Sequence, residues 1–344
     1  MDCGGFHVEQ PFKIVKKQVL QQYYLLYRAI QGAQLLKTAG KLSPGNLNSN
    51  IFCILLQTIR MKRLLPLFLL LLILGCQKEP GAGNNNTGVP EATYLNVAYG
   101  TDLKQKIDVY LPAGRSIAST KAIILIHGGA WSTGDKADFN AYVDTLKKRQ
   151  PDYAIFNINY RLASAAGNFF PSQENDVKAA FDFIVSKTNE YNISQKTVLL
   201  GASAGGHLAL LQGYKNTSPV KAKAIVDFFG PTDMADLYNH PADPSLLPVL
   251  QVLLSGTPTT NAAMYQQSSP INYVTAQSPP TIIFQGGADP LVPVSQSATL
   301  NTNLQTLGVA HQYVLYPTEG HGWVGANLTH SFNAIQAFLA ANVN

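Results

Sequence analysis

The chain of 344 residues contains only three cysteines, Cys3, Cys53 and Cys76, and none follows residue 76. That excludes a disulfide framework and a cysteine-built zinc site from the remaining three quarters of the sequence. Long hydrophobic runs are also missing. The longest, Leu64 to Leu74, has eleven residues, against the roughly 20 that a helix needs to cross a bilayer. An excess of one charge is missing too, although the whole chain carries +5. Residues 1–75 hold nine Lys and Arg against Asp2 and Glu9. Removing nine from 25 leaves 16 basic side chains, and removing two from 20 leaves 18 acidic ones. No basic cluster larger than Lys147-Lys148-Arg149 stands in that part, which argues against a nucleic-acid partner. The histidines are scattered and no acidic groups bracket them at ligand spacing, so no metal site is expected.

What is present begins with a targeting pattern. Met61-Lys62-Arg63, the apolar run Leu64 to Leu74 and then Gly75-Cys76 form a positive n-region, an h-region and a small residue before a cleavage point. Ile73-Leu74-Gly75-Cys76 resembles a bacterial lipoprotein box, which makes Cys76 the expected lipidated residue. Residues 61–76 are read as that signal, and residues 1–60 as an upstream extension from a misplaced start. Residues 77–92, with Gly81, Gly83 and Asn84-Asn85-Asn86, are read as a flexible tether. The expected location is therefore exported and anchored to a bacterial membrane.

From residue 93 strands and helices alternate. Tyr94 to Tyr99 and Lys106 to Tyr110 read as strands near an edge. The continuous apolar run at Ala122 to Ile126 reads as a buried parallel strand, and Tyr153 to Ile158, Val198 to Leu200, Ala222 to Phe228 and Thr281 to Phe284 read as further strands, with Gln312 to Tyr316 the last. Helical spacing is found in Tyr142 to Lys148, Asn175 to Tyr191, the stretch after Ser203, Leu300 to Leu307, and Phe332 to Leu339. This predicts an α/β domain over 93–344, its mostly parallel sheet covered by helices on both faces. Residues 233–274, rich in Pro and polar side chains, interrupt the alternation. They are expected to form a small cap, with Leu246, Leu247, Val249, Leu250 and Leu253 as its core or as lining.

The chemistry centres on Gly201-Ala202-Ser203-Ala204-Gly205. A serine between a strand and a helix, flanked by glycines, is a nucleophile elbow in its proper context. A serine hydroxyl needs a base, and the base needs an orienting acid. Asp289 follows the strand ending near Phe284, and His321 follows the last strand, so three strand ends would converge as open α/β sheets allow. Asp233 is the rival acid; Glu319 is too near His321 in sequence, and His207 is expected to pack against its helix. An oxyanion hole requires backbone N–H donors. Ala204 supplies one, and the loop His127-Gly128-Gly129-Ala130-Trp131 is placed to supply the other. Trp131, Phe169 and Phe170 are candidates to face an acyl group.

Together with Asn159-Tyr160-Arg161-Leu162 and Gly230-Pro231-Thr232-Asp233, these motifs make the chain resemble the α/β-hydrolases, within them the His-Gly-Gly esterases and lipases. That group includes carboxylesterases, hormone-sensitive-lipase-like enzymes, and acetyl and feruloyl esterases. Ala130 stands where many hormone-sensitive-lipase relatives carry a third glycine. The resemblance implies Gly129 and Ala130 as the loop's oxyanion donors and a cofactor-free serine esterase acting through an acyl-enzyme on Ser203. It implies small carboxylic esters as substrates, including acetyl or feruloyl groups on glycans. A serine peptidase of the prolyl oligopeptidase type, a formamidase and a catalytically inactive binding protein share the fold and remain the alternatives.

Overall fold

The computed structural model describes residues 88–216 and 219–344. The expected upstream extension, signal, lipidated Cys76 and most of the tether lie outside the described residues. No described helix is long and apolar enough to cross a membrane.

Eight strands form one sheet: β1 (Ala92–Ala98), β2 (Lys106–Leu111), β3 (Lys121–Ile126), β4 (Tyr153–Ile158), β5 (Thr197–Ala202), β6 (Ala224–Phe228), β7 (Thr281–Gly286) and β8 (His311–Tyr316). Their order is β1-β2-β4-β3-β5-β6-β7-β8. β1 and β2 join antiparallel at one edge, and every pairing from β4 to β8 is parallel. The register aligns Ile126 with Gly201, Ala202 with Phe228, and Phe228 with Phe284. The carboxyl ends of β3, β5, β6 and β7 therefore stand side by side, and so do the loops that leave them.

The helices are α1 (Asn140–Arg149), α2 (Ser172–Ser186), α3 (Thr188–Tyr191), α4 (Ala204–Tyr214), α5 (Met234–Asn239), α6 (Leu247–Leu253), α7 (Ala262–Gln267), α8 (Val294–Thr306) and α9 (Gly325–Asn342). Alternate residues of the central strands serve opposite faces. Ile124, Leu199 and Ile225 pack with Val177, Phe181 and Leu208 of α2 and α4. Ile123, Leu125, Val198 and Val226 pack with Val143 and Leu146 of α1 and with Phe332, Ile335 and Leu339 of α9. All eleven residues of α4 are buried, which explains a sequence that is apolar all round and lacks a polar face. Fully burying one such aliphatic side chain stabilises the fold by about 1.5–3 kcal/mol.

Four details differ from the sequence reading. β1 begins at Ala92, and the preceding residues are already tied down: Gly114 N–H donates to the Val89 carbonyl at 2.7 Å, and Lys147 pairs with Glu91 at 2.7 Å. The helix read over Asn175 to Tyr191 is two helices, and Asn192 in the left-handed region (φ 53°) ends the second. α9 starts seven residues before Phe332; Leu328 extends the stripe of Phe332, Ile335 and Leu339 into its first turns, among Gly, Asn, Thr and His. Within 233–274, Leu250, Leu253 and Leu254 are completely buried in the same apolar cluster as α2 and α4. Much of the insertion is thus body rather than lid.

Candidate active site

β5 runs into α4 through a turn that only small residues permit. A Cβ on Gly201 would lie 2.1 Å from the Gly205 carbonyl oxygen, and one on Gly205 would lie 1.9 Å from that of Ile126. Ser203 sits between them at φ 56°, ψ −125°, a sparsely populated conformation for a residue with a side chain. Its own N–H donates to the Phe228 carbonyl at 2.8 Å, so the strained turn is fastened to the next strand. Ala204 is the first residue of α4; its N–H has no acceptor within the helix and belongs to the positive end of the helix dipole.

The loop after β3 lies against this elbow. A Cβ on Gly128 would come within 2.9 Å of the Ala202 carbonyl oxygen. Gly129, Ala130 and Trp131 then follow one another at φ of 105°, 48° and 58°, and Ser132 and Thr133 N–H groups return to the Gly129 carbonyl at 3.1 and 2.9 Å. Trp131 is buried, 1% exposed, and its indole N–H donates to His207 Nδ1 at 3.1 Å.

Asp289 and His321 meet at the ends of β7 and β8. His321 Nδ1 donates to Asp289 Oδ2 at 2.8 Å, which leaves Nε2 as an acceptor. The carboxylate is fully buried as a side chain and has further donors. Oδ1 accepts from the N–H groups of Leu291 at 2.8 Å and Val292 at 3.0 Å, and Oδ2 accepts from Gln285 Nε2 at 3.3 Å. The Phe229 ring lies against the imidazole, 4.5 Å between centroids. The rival acid, Asp233, is spent elsewhere, capping α5 by accepting from Ala235 and Asp236 N–H groups at 3.0 Å each. Glu319 accepts from Asn327 Nδ2 at 2.6 Å.

A cavity of about 420 Å³ joins these groups. Ser203, His321, Gly129, Ala130 and Trp131 line it together with Thr133, Asp138, Phe229, Pro231, Leu246, Leu291 and Val292. Among the described residues, Ser203 Oγ makes no hydrogen bond to the His321 ring; in unliganded sites that contact often tightens only with substrate. A second hollow, lined by Asp182, Ser186 and Gln195 among others, contains none of these residues. Phe169 and Phe170 are corrected as cavity residues. Phe170 is buried in the core with its N–H on the Leu253 carbonyl, and Phe169 is exposed on the surface. Leu246 alone of the five insertion residues named from sequence reaches the cavity.

Three polar residues escaped sequence reading. Gln285 holds Asp289 while its Oε1 accepts from Ser297 at 2.7 Å; a glutamine inside the apolar run Thr281–Gly286 was the available signal. Asp138 lines the cavity while its Oδ2 accepts from the Asp135 N–H at 3.0 Å. Asp227, in the middle of the sheet, accepts from Gly230 N–H at 3.0 Å through Oδ1, whereas Oδ2 is buried without a partner. Burial pushes its carboxyl well above the usual carboxylate range. Burial also pushes the His207 imidazole down to about 4, which keeps that ring neutral.

A mostly parallel eight-stranded sheet, with a serine elbow, a glycine loop and an Asp–His pair at adjoining strand ends, defines an α/β-hydrolase fold. The chain belongs to the BD-FAE family, which matches residues 107–304, more than half of its length. It is 28% identical over 253 residues to the probable carboxylic ester hydrolase LipM of Mycobacterium tuberculosis, covering 68% of this chain and 57% of that protein. It is 26% identical over 260 residues to esterase LipC of the same organism, covering 71% and 64%. The chain thus spans about 57 to 64% of the length of these curated relatives. Among solved structures, it is similar to a truncated form of a carbohydrate esterase from gut microbiota. That match has 29% identity and a TM-score of 0.64, and it covers 73% of this chain and 95% of the other.

Proposed function

We propose that this chain is a serine esterase that hydrolyses small carboxylic esters through an acyl-enzyme on Ser203. The observation that carries the reading is the 2.8 Å bond from His321 Nδ1 to buried Asp289, on a cavity that Ser203 also lines. Ser203 Oγ attacks the acyl carbon as its proton passes to His321 Nε2. The tetrahedral oxyanion takes N–H groups of Ala204 and of Gly129 and Ala130. His321 then gives the proton to the departing alkoxide, and the alcohol leaves. Water repeats the sequence with His321 as base, freeing the acid and Ser203. Asp289 holds the ring in the Nδ1–H tautomer and stabilises its cation throughout.

The apolar wall of Phe229, Pro231, Leu246, Leu291 and Val292 suits a short or aromatic acyl group, and Thr133 and Asp138 suit a hydroxyl-rich alcohol. That division, with the carbohydrate esterase among the similar structures, supports acetyl or feruloyl groups on glycans as the substrate class. Lipidation at Cys76, supported by the pattern of residues 61–76, would place the domain on a bacterial membrane surface.

The test is hydrolysis of p-nitrophenyl esters from acetate to palmitate by the full chain and its Ser203→Ala variant. Turnover should be fastest on the shortest esters and should fall by about 10⁴-fold or more in the variant. A preference for palmitate would move the substrate class to lipids, and a wild-type chain inert to every ester would overturn the reading in favour of a peptidase, a formamidase or a binding role.

A further inference from the structure

His207 stands one turn into α4, its N–H on the Ser203 carbonyl at 3.0 Å, and its ring is wholly buried. Both ring nitrogens are occupied. Nε2 lies 2.7 Å from the Ser268 carbonyl, which can only accept, so the ring's proton is on Nε2. Nδ1 is then a lone pair, and it receives the Trp131 indole N–H at 3.1 Å, the two rings meeting edge to face at 5.2 Å. One tautomer satisfies both contacts, and it is the neutral one.

Trp131 closes the run of three consecutive left-handed residues. Such a backbone persists only where its surroundings over-determine it. Some restraints are internal, the returns of Ser132 and Thr133 to the Gly129 carbonyl. Another is the Ala163 N–H on the Trp131 carbonyl at 2.9 Å, which reaches the loop after β4. The indole–imidazole bond differs from these because it ties the loop to α4, the helix that follows Ser203. The mechanism depends on that spacing, since the oxyanion must meet donors from both elements at once. A buried polar pair is also an expensive way to fill a core that a phenylalanine and a leucine would fill without obligatory partners.

We propose that His207 is a positioning residue: by accepting the Trp131 indole N–H it fixes Gly129 and Ala130 relative to Ser203, and through Ser268 it makes that spacing depend on the 233–274 insertion. This rests on the serine esterase reading above. The insertion then serves catalysis from behind, by holding an imidazole, in addition to lining the cavity with Leu246.

The experiment compares full-length wild type, His207→Leu, His207→Asn, Trp131→Phe and the His207→Leu/Trp131→Phe double variant, measuring kcat, KM and thermal unfolding on p-nitrophenyl acetate. Leucine removes the acceptor; asparagine keeps an oxygen where Nδ1 stands. His207→Leu should lower kcat about 10- to 100-fold, less than the 10² to 10³ of deleting an oxyanion donor outright, with KM within about threefold. His207→Asn should recover part of that loss, because it keeps the acceptor for Trp131 and gives up the Ser268 contact. Trp131→Phe should cost a similar factor alone and almost nothing further in the double variant, since both changes break one bond.

Unchanged kcat in His207→Leu and Trp131→Phe, additive losses, or an asparagine no better than leucine at equal melting temperature would overturn the proposal. If His207→Leu does not fold, Trp131→Phe and His207→Asn decide it. The chain has two tryptophans, so its indole N–H resonances can be assigned with Trp131→Phe. A Trp131 signal shifted in His207→Leu and retained in His207→Asn supports the tether even if the wild type hydrolyses no ester, in which case the functional reading alone has failed. A signal indifferent to both changes overturns the tether.

Discussion

On the serine side of the cavity, main chains meet where side chains are missing: Gly201 against Gly205, Gly205 against Ile126, Gly128 against Ala202. On the histidine side glycines again let main chains meet, a Cβ on Gly286 falling 2.1 Å from the Gly320 carbonyl oxygen, but a network of polar side chains is added, with Asp289 gathering the Leu291 and Val292 N–H groups, Gln285 and His321. The first construction is steric and tolerates no added atom. The second is a hydrogen-bond network and tolerates shape-preserving changes structurally while losing its electrical logic. The difference sets what mutation does to each: an atom added at the close-packed glycines causes unfolding, and a change within the Asp289 network causes inactivity.

The sharpest contrast comes from Asp289→Asn. Its volume is unchanged, but an amide favours the wrong imidazole tautomer, so kcat should fall by about 10⁴ with only a small change in melting temperature. A loss of stability as large as the loss of activity would mean that the two sides are not built differently. Gly205→Ala should behave in the opposite sense. Its Cβ would press on the Ile126 and His127 carbonyls at 1.9 and 2.5 Å. Unfolding should move down by about 10 °C or more, or soluble protein should fail to accumulate. A variant that folds and melts like wild type would show that the elbow has room the structure denies.

Asp227 gives the smallest and most diagnostic effect, because it is a polar group lodged on the sterically built side. A Cβ on Gly206 or Gly230 would lie 2.3 or 2.4 Å from its Oδ1. Burial raises its pKa in the folded protein above the unfolded value near 4. The folded state therefore binds more protons there, and this group's stabilisation, complete below about pH 4, is lost as pH rises. Asp227→Asn has no such dependence and still accepts from Gly230. It should melt a few degrees higher than wild type at pH 7 and no higher at pH 4, measured by scanning calorimetry at both values. A lower melting temperature at pH 7 would show instead that an ionised carboxylate is being used. His207 acts with the opposite sign: its pKa is depressed from 6.5 to about 4, so its stabilisation is present above 6.5 and lost as pH falls. Both proteins contain it, and the difference between them removes it.

The same comparison explains what the sequence disclosed. Main-chain packing writes itself as glycine, so the elbow at Ser203 and the loop at Gly128 and Gly129 were legible, and apolar runs alternating with helical spacing announced the parallel sheet. Asp289 and His321 could be named because each follows a strand in the order serine, acid, histidine. Networks of side chains leave fainter marks. Gln285 and His207 gain their roles from partners that folding supplies, His207 from Trp131, 76 residues away. Phe169 and Phe170 misled because an aromatic in a loop has one signature for a cavity wall, a core and an exposed surface. The insertion misled in part: its leucines marked burial but not which body they join.

The most direct measurement is chemical trapping of the first turnover. Full-length enzyme mixed with p-nitrophenyl acetate, quenched in acid before steady state and mapped by mass spectrometry, should carry one acetyl group on the peptide containing Ser203. The accompanying burst of p-nitrophenol should approach the enzyme concentration. An acetyl group on another residue, or ester turnover undiminished in Ser203→Ala, would contradict a covalent mechanism at Ser203.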